Sequence, residues 1–442
     1  MEKSSAGYSI IIEAEWMYQV SLYCYKLAAI YARVLLTAKL VITAIDMEED
    51  MEINHKRILI YKWRAYNYLD VYQTFLALEF EVDIVEQHLP SYDEDEKFNL
   101  KLRKILREKA YDFVFTVNYF GVISDACEQM GVPYVSWSCD SPLISMYHES
   151  VYNACNYIFL FDKSSYLFFK ELGVEHIWHL PLAVDTQRID HIIQNAEDLK
   201  LYQSVISFVG SLYERNSYDS LVPTFPPYLQ GYLDCAMEAQ MNISGGNLLE
   251  RLLTDDICVQ LEQHYRLEKS ERSFSDLKLI FATTVLGFKV AKEQRCSYLL
   301  ELVKKHPVSI YTNSNTHDLV KIDYRGSVDY WTQMPKVFYG SRINLNFTIP
   351  NIKSGIPLRV WDVLGAGGFM ITNYQPELEM YFELDKDLVV FESRQELTEK
   401  VSFYLEHEKL RQQIAKSGYE NVKLNHSYII RIKWLLKQLQ YS

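Results

Sequence analysis

A chain of 442 residues with 49% hydrophobic and 14% aromatic content is long enough for two or three cored domains, which excludes a disordered protein. A net charge of −13 argues against a nucleic-acid partner, which needs a basic face, yet leaves room for a local basic pocket. The seven cysteines, at 24, 127, 139, 155, 235, 258 and 296, are odd in number and contain no Cys-x-x-Cys pair. Neither a disulfide framework nor a zinc site is indicated, and reduced thiols in a cytoplasmic protein fit the pattern.

Residues 1–55 read as a helical extension and linker. The apolar stretch Trp16 to Ile45 is interrupted by Lys26, Arg33 and Lys39, so no charge-free run is long enough to span a bilayer. Gln19, Lys26 and Arg33 recur every seven residues on one side of a helix. Such a helix suits either packing on a domain or partner, or peripheral contact with the inner face of a membrane. No secretory leader is expected, because the first apolar run lacks a basic start and a cleavage site.

From Arg57 short apolar runs alternate with helical stretches. Strands are predicted at Ile58–Tyr61, Val82–Val85, Phe113–Val117, Tyr134–Trp137, Tyr157–Phe161 and Ile177–Leu180. Strands alternating with helices imply a parallel sheet covered on both faces, a Rossmann-like domain over 56–200. A second series is predicted at Val205–Val209, Val308–Tyr311, Ile322–Tyr324, Ile343–Phe347, Met370–Thr372 and Leu388–Phe391, within a domain over 201–442. Pro223 to about Leu279 has no strand rhythm and reads as a helical insertion. Gln395 to Tyr441 reads as helices.

The hub of the chain is Ser354 to Phe369. Pro357 suits the first turn of a short helix, and Gly365, Gly367 and Gly368 end it. Arg359 and Asp362 stand one turn apart, the spacing of a surface ion pair. In open parallel sheets ligands bind beyond the carboxyl ends of the strands. That rule singles out Gly210-Ser211, Thr312-Asn313-Ser314, Gly326-Ser327 and Ile349–Gly355 in the second domain. In the first it singles out Trp137 to Pro142, where Asp140 suits either a general base for a hydroxyl or an Asx turn before Pro142. His148 is the runner-up base, and Asp162-Lys163 either shapes the pocket or caps a helix. Asp93-Glu94-Asp95 and Asp385-Lys386-Asp387 read as surface acids, and His176-Ile177-Trp178-His179 as strand packing.

Several of these motifs carry a family likeness. Gly355-Ile356-Pro357-Leu358-Arg359, Asp362 to Phe369, Thr372-Asn373-Tyr374-Gln375 and Asn425-His426-Ser427-Tyr428 with Arg431 resemble the glycosyltransferase domain of CgeB-like spore-maturation proteins, in the GT-B superfamily. Ser136 to Pro142, Phe159 to Lys163 and Leu180 to Val184 are similar to the DUF3880 domain that accompanies it. The resemblance spans Lys56 to the C-terminus. It implies two doubly wound α/β domains facing a cleft, with the last helix crossing back to the first domain.

It also implies a glycosyltransferase that moves a sugar from a nucleotide-sugar donor, a UDP-sugar, to a hydroxyl of a saccharide or protein. The likeness implies that the second domain holds the donor, so the strand-end loops and the hub together make Gly210, Ser211, Thr312, Gly326, Ser354, Gly355, Arg359 and Asp362 the donor-site candidates, with Asp362 matching the ribose position and Arg359 suited to the diphosphate. Asp140, His148 and Arg359 are the catalytic candidates. Many relatives carry two glutamates eight residues apart where this chain has Ser354 and Asp362. No metal or other cofactor is expected, since a fixed guanidinium supplies the cation. A nucleotide-sugar epimerase or phosphorylase on the same fold, or a coat protein that keeps the fold without turnover, are the alternatives.

Overall fold

The structure, a computed structural model, describes residues 56–440, so the expected N-terminal helical extension lies outside the described residues. The first sheet contains β1 (Arg57–Lys62), β2 (Glu81–Glu86), β3 (Phe113–Val117), β4 (Tyr134–Trp137), β5 (Asn156–Leu160) and β6 (Ile177–His179). The second contains β7 (Ser204–Val209), β8 (Val308–Tyr311), β9 (Asp323–Tyr324), β10 (Ser341–Asn346), β11 (Met370–Asn373) and β12 (Val389–Phe391). Every pairing is parallel. The strand orders are β2-β1-β3-β4-β5-β6 and β12-β11-β10-β7-β8-β9.

Each predicted strand is present to within a residue or two, because central parallel strands are buried on both faces and read as unbroken apolar runs. β3 and β4 are buried along their whole length. At the edge, β2 alternates charged and apolar residues and keeps Glu81 and Glu86 in solvent, a pattern that protects an edge.

Between β7 and β8 the chain forms the expected helical insertion, including Pro227–Met241, Asp255–Leu261 and a π-turn at Phe281–Val285 leading into Leu286–Leu302. The insertion has its own core around Leu229, Leu233, Leu249 and Phe281. Its segment 272–274 then straps onto the first sheet's side. Glu149 N–H donates to the Arg272 carbonyl at 3.0 Å, and Phe274 N–H to the Tyr147 carbonyl at 2.9 Å. Arg272 also grips Asp125 with two bonds, at 2.6 and 3.2 Å.

The last helix, Tyr428–Gln440, crosses back to the first sheet. Its Tyr428 packs edge-on against Trp137, and its Trp434 against Phe159. Arg431 donates to the Leu182 carbonyl. Among the described residues no helix is long and apolar enough to cross a membrane.

Candidate functional site

In the second sheet the chain runs from β7 outward through β8 and β9, then returns to build β10, β11 and β12 on the other side. β7 and β10 are therefore neighbours whose chain connections diverge, and the crevice at their carboxyl ends is the expected ligand position. A cleft of about 900 Å³ opens there. Its second-sheet walls include Gly210, Ser211, Tyr213, Glu214 and Arg215 after β7, Thr312 to Ser314 after β8, and Phe347 to Ile349 after β10. The insertion adds Thr283 and Thr284 from its π-turn, and Phe288 and Arg295 from the following helix. The first sheet contributes Tyr66 after β1 and Cys139, Asp140, Ser141 and Pro142 after β4.

Arg295 holds the crossing together. Its guanidinium donates to the Ser211 carbonyl at 2.5 Å and the Phe347 carbonyl at 2.6 Å, joining the ends of β7 and β10. It also lies over the rings of Phe208 and Tyr213. Both bonds go to carbonyls, so the positive charge is not neutralised by them, and Nε has no partner. Burial lowers its pKa from the ordinary arginine value, and neighbouring Arg359 lowers it further.

Arg359 stands at the start of the helix Leu358–Gly365, where it contacts the Met334 sulfur and lies 5.1 Å from the Phe338 ring centre. Its expected partner Asp362 is 3.7 Å away, a loose contact. Pro357 sits one residue before the helix and not in its first turn.

Of the residues predicted for the site, Gly210, Ser211, Thr312, Arg359 and Asp140 line the cleft. The other five are placed elsewhere. Asp362 is buried on the far side of its helix, accepting from the Tyr330 hydroxyl at 2.8 Å; burial raises its pKa. Gly326 lies beneath the loop after β8, its carbonyl accepting from Thr312 N–H at 2.8 Å.

Ser354 and Gly355 belong to the contact between the two halves. A Cβ on Gly355 would sit 2.9 Å from Asp162 Cα, so only glycine permits that approach. Ser354 Oγ lies 2.8 Å from Asp162 Oδ1 and 2.7 Å from Glu377 Oε1. His148 is fully buried and caps the turn Glu149–Tyr152, its Nδ1 2.8 Å from the Ser150 hydroxyl. It is not positioned to act on a ligand in the cleft.

Asp162 does cap the helix Lys163–Glu171, accepting from Ser164 N–H at 3.0 Å, while also serving the inter-sheet contact. His179 is more than strand packing, since its Nε2 lies 2.8 Å from Glu377 Oε2. Asp387, read as a surface acid, is buried and accepts from Ser417 and Asn421. Asp95 caps the helix Glu96–Glu108. Among the described residues no group of three or more His, Cys, Asp or Glu could hold a metal ion.

At Asp140 the loop is fixed by Asn118, whose side-chain amide donates to Asp140 Oδ2 at 2.7 Å and accepts from Cys139 N–H at 2.8 Å. Burial raises the Asp140 pKa, and the Asn118 bond opposes that rise in part. Arg295, Tyr66 and the ring pair Tyr213–Phe288 were not predicted. Arg295 shares its helix with Lys289 and Lys292, and no spacing marks it out from them.

Two Rossmann-type sheets facing a ligand cleft, with the cleft centred on the crossing point of the second, define the GT-B class of fold. Residues 294–437 match the family described as Glycosyl transferase-like, so the C-terminal part of the chain carries a glycosyltransferase-type domain. No curated protein sequence matches the chain.

Among solved structures, the chain is similar to HepE from Anabaena in complex with UDP and glucose, with 9% identity over 88% of this chain and 100% of that one, at a TM-score of 0.51. It is similar to a sucrose-phosphate synthase from Thermosynechococcus elongatus, with 10% identity over 88% and 100%, at 0.50. A UDP-forming α,α-trehalose-phosphate synthase from Burkholderia vietnamiensis shares 9% identity over 87% and 100%, at 0.51. At these identities the likeness is one of fold.

Proposed function

We propose that the protein is a metal-independent glycosyltransferase that binds a UDP-sugar at the β7–β10 crossing and passes its hexosyl or related group to a hydroxyl of a saccharide or protein. The observation that carries this reading is the pair of guanidiniums, Arg295 and Arg359, at one cleft wall of a protein whose net charge is −13. Arg295 spends its bonds on carbonyls, so a bound anion would meet a positive field already fixed in place. The likeness to structures described with UDP and as UDP-forming supports UDP as the nucleotide.

In the transfer, the bond from the anomeric carbon to the diphosphate breaks and the acceptor oxygen bonds that carbon. The acceptor's proton passes to Asp140, and the charge left on the diphosphate is offset by the two arginines. We further assign the chain to the CgeB-like group with a DUF3880-like first half, on its motifs. Six unpaired cysteines among the described residues support a reducing, cytoplasmic setting, with residues 1–50 as the candidate for peripheral membrane contact.

Titration calorimetry with UDP tests the donor site. Arg359→Ala should weaken binding on the order of tenfold to a hundredfold, and Arg359→Lys should recover only part of that, because a point charge cannot reproduce the planar fork. Unchanged UDP affinity in Arg359→Ala would remove the assignment.

A further inference from the structure

The buried carboxylate of Asp362 has no place in the chemistry above, yet it is linked to the opposite wall of the cleft. It accepts from the Tyr330 hydroxyl at 2.8 Å, and the Tyr330 ring packs on Tyr66 with centres 5.5 Å apart and planes inclined by 40°. Tyr330 is buried, whereas Tyr66 is 67% exposed. Tyr66 is the aromatic side chain that the first sheet presents to the cleft. It stands in the loop after β1, with the Asp140 loop after β4. Between these strands lies β3, whose following residue Asn118 holds the Asp140 carboxylate.

A single exposed tyrosine on a surface needs no explanation. A tyrosine at a cleft wall, backed by a second ring that is itself pinned through a buried carboxylate, is a prepared surface. Side chains whose position is fixed before binding lose little entropy when a ligand arrives. Aromatic rings offer a large apolar face, and the C–H-bearing face of a pyranose ring is its natural complement. The sugar's hydroxyls would remain within the polar part of the same wall, formed by Asp140 and Ser141. At about 900 Å³ the cleft is near the upper end of ligand-site sizes, which leaves room for a second ring beside the donor.

We infer that Tyr66 is the stacking platform for a pyranoside acceptor, and that Tyr330 and Asp362 are positioning residues that hold it. The inference rests on the donor reading above only in assigning the ring to the acceptor and not the donor. Asp362 therefore acts on the reaction from the acceptor side, through two tyrosines. An extended peptide would instead need a row of side-chain pockets and backbone partners along the wall.

The test is saturation-transfer NMR with methyl β-D-glucopyranoside on the full chain, with and without saturating UDP, alongside calorimetry for UDP. The wild type should bind the glucoside, and Tyr66→Ala should weaken it on the order of tenfold. Tyr66→Phe should retain binding, and Tyr330→Phe, which keeps the ring but loses its bond to Asp362, should fall between the two. UDP affinity should be the same in all four proteins. Equal glucoside affinity in wild type and Tyr66→Ala would overturn the inference, as would glycerol competing as well as the glucoside. No glucoside binding to the wild type would overturn it too. If UDP fails to bind while the glucoside pattern holds, the donor reading falls and the platform stands.

Discussion

Ser354 Oγ lies 2.8 Å from Asp162 Oδ1, joining the loop after β10 to the residue that caps the helix after β5. The same hydroxyl is 2.7 Å from Glu377 Oε1 and accepts from Ser164 N–H at 3.0 Å. It has one proton and so serves one carboxylate at a time. Both carboxylates are buried. Ser354→Ala should therefore cost about 1.5–3 kcal/mol, because a buried carboxylate loses one of its charge-assisted hydrogen bonds while keeping its backbone donor. Urea unfolding should show the loss, while UDP affinity changes little. A large drop in UDP affinity with normal stability would return Ser354 to the donor site.

Asp140 should show its role in rate. Asp140→Asn should lower turnover roughly 10²–10⁴-fold with UDP affinity retained. A base works only when ionised, and burial lifts this carboxyl above its ordinary 3.8. The rate should accordingly fall as pH drops through the raised value. A flat acid limb would assign Asp140 to the turn alone.

Asp70 carries a pH dependence of stability. It is buried and paired with Arg188 at 2.6 and 3.1 Å, yet burial outweighs the arginine and lifts its pKa to about 6 from 3.8. The folded state thus holds the proton more tightly than the unfolded chain. This group's contribution is fully present below pH 3.8 and is lost as pH rises through about 6. Asp70→Asn should flatten that part of the stability profile, as followed by denaturant midpoints from pH 4 to 7. An unchanged profile would mean that the carboxylate remains ionised throughout.

Arg272 should control how tightly the strap is held. Its side chain is 39% exposed, so the pair with Asp125 should contribute only about 0.5–1 kcal/mol. Arg272→Ala should nevertheless speed hydrogen exchange at the amides of Glu149 and Phe274, which donate across the strap. Exchange in β3 and β4 should not change. Equal protection in the variant would show that the backbone bonds hold the strap alone.

The strands were legible in the sequence because parallel strands buried on both faces leave unbroken apolar runs, as at Phe113–Val117. The side of a helix that meets the cleft was not. Leu358–Gly365 is buried from Val360 onward, so no polar face marks an orientation, and Asp362 looked as available as Arg359. Ser354 and His148 were misplaced for a related reason. A polar residue in a loop near a strand end fits a ligand contact and a contact between sheets equally well. Arg295 gave no local signal, since its partners are backbone carbonyls 84 and 52 residues away.

The terminal helix has a consequence for how the protein is made. Trp137 and Phe159 lie in β4 and β5, yet the rings that pack against them, Tyr428 and Trp434, lie far downstream in the chain and are synthesised long after them. At 5–20 residues per second, roughly 10–50 s separate the emergence of the first sheet from that of its covering helix. During that interval the nascent chain carries an apolar face with no lid of its own, a natural binding site for a ribosome-associated chaperone. Messages truncated before the codon for Tyr428 should yield chains that stay bound to such a chaperone, whereas chains that include Tyr428–Gln440 are released.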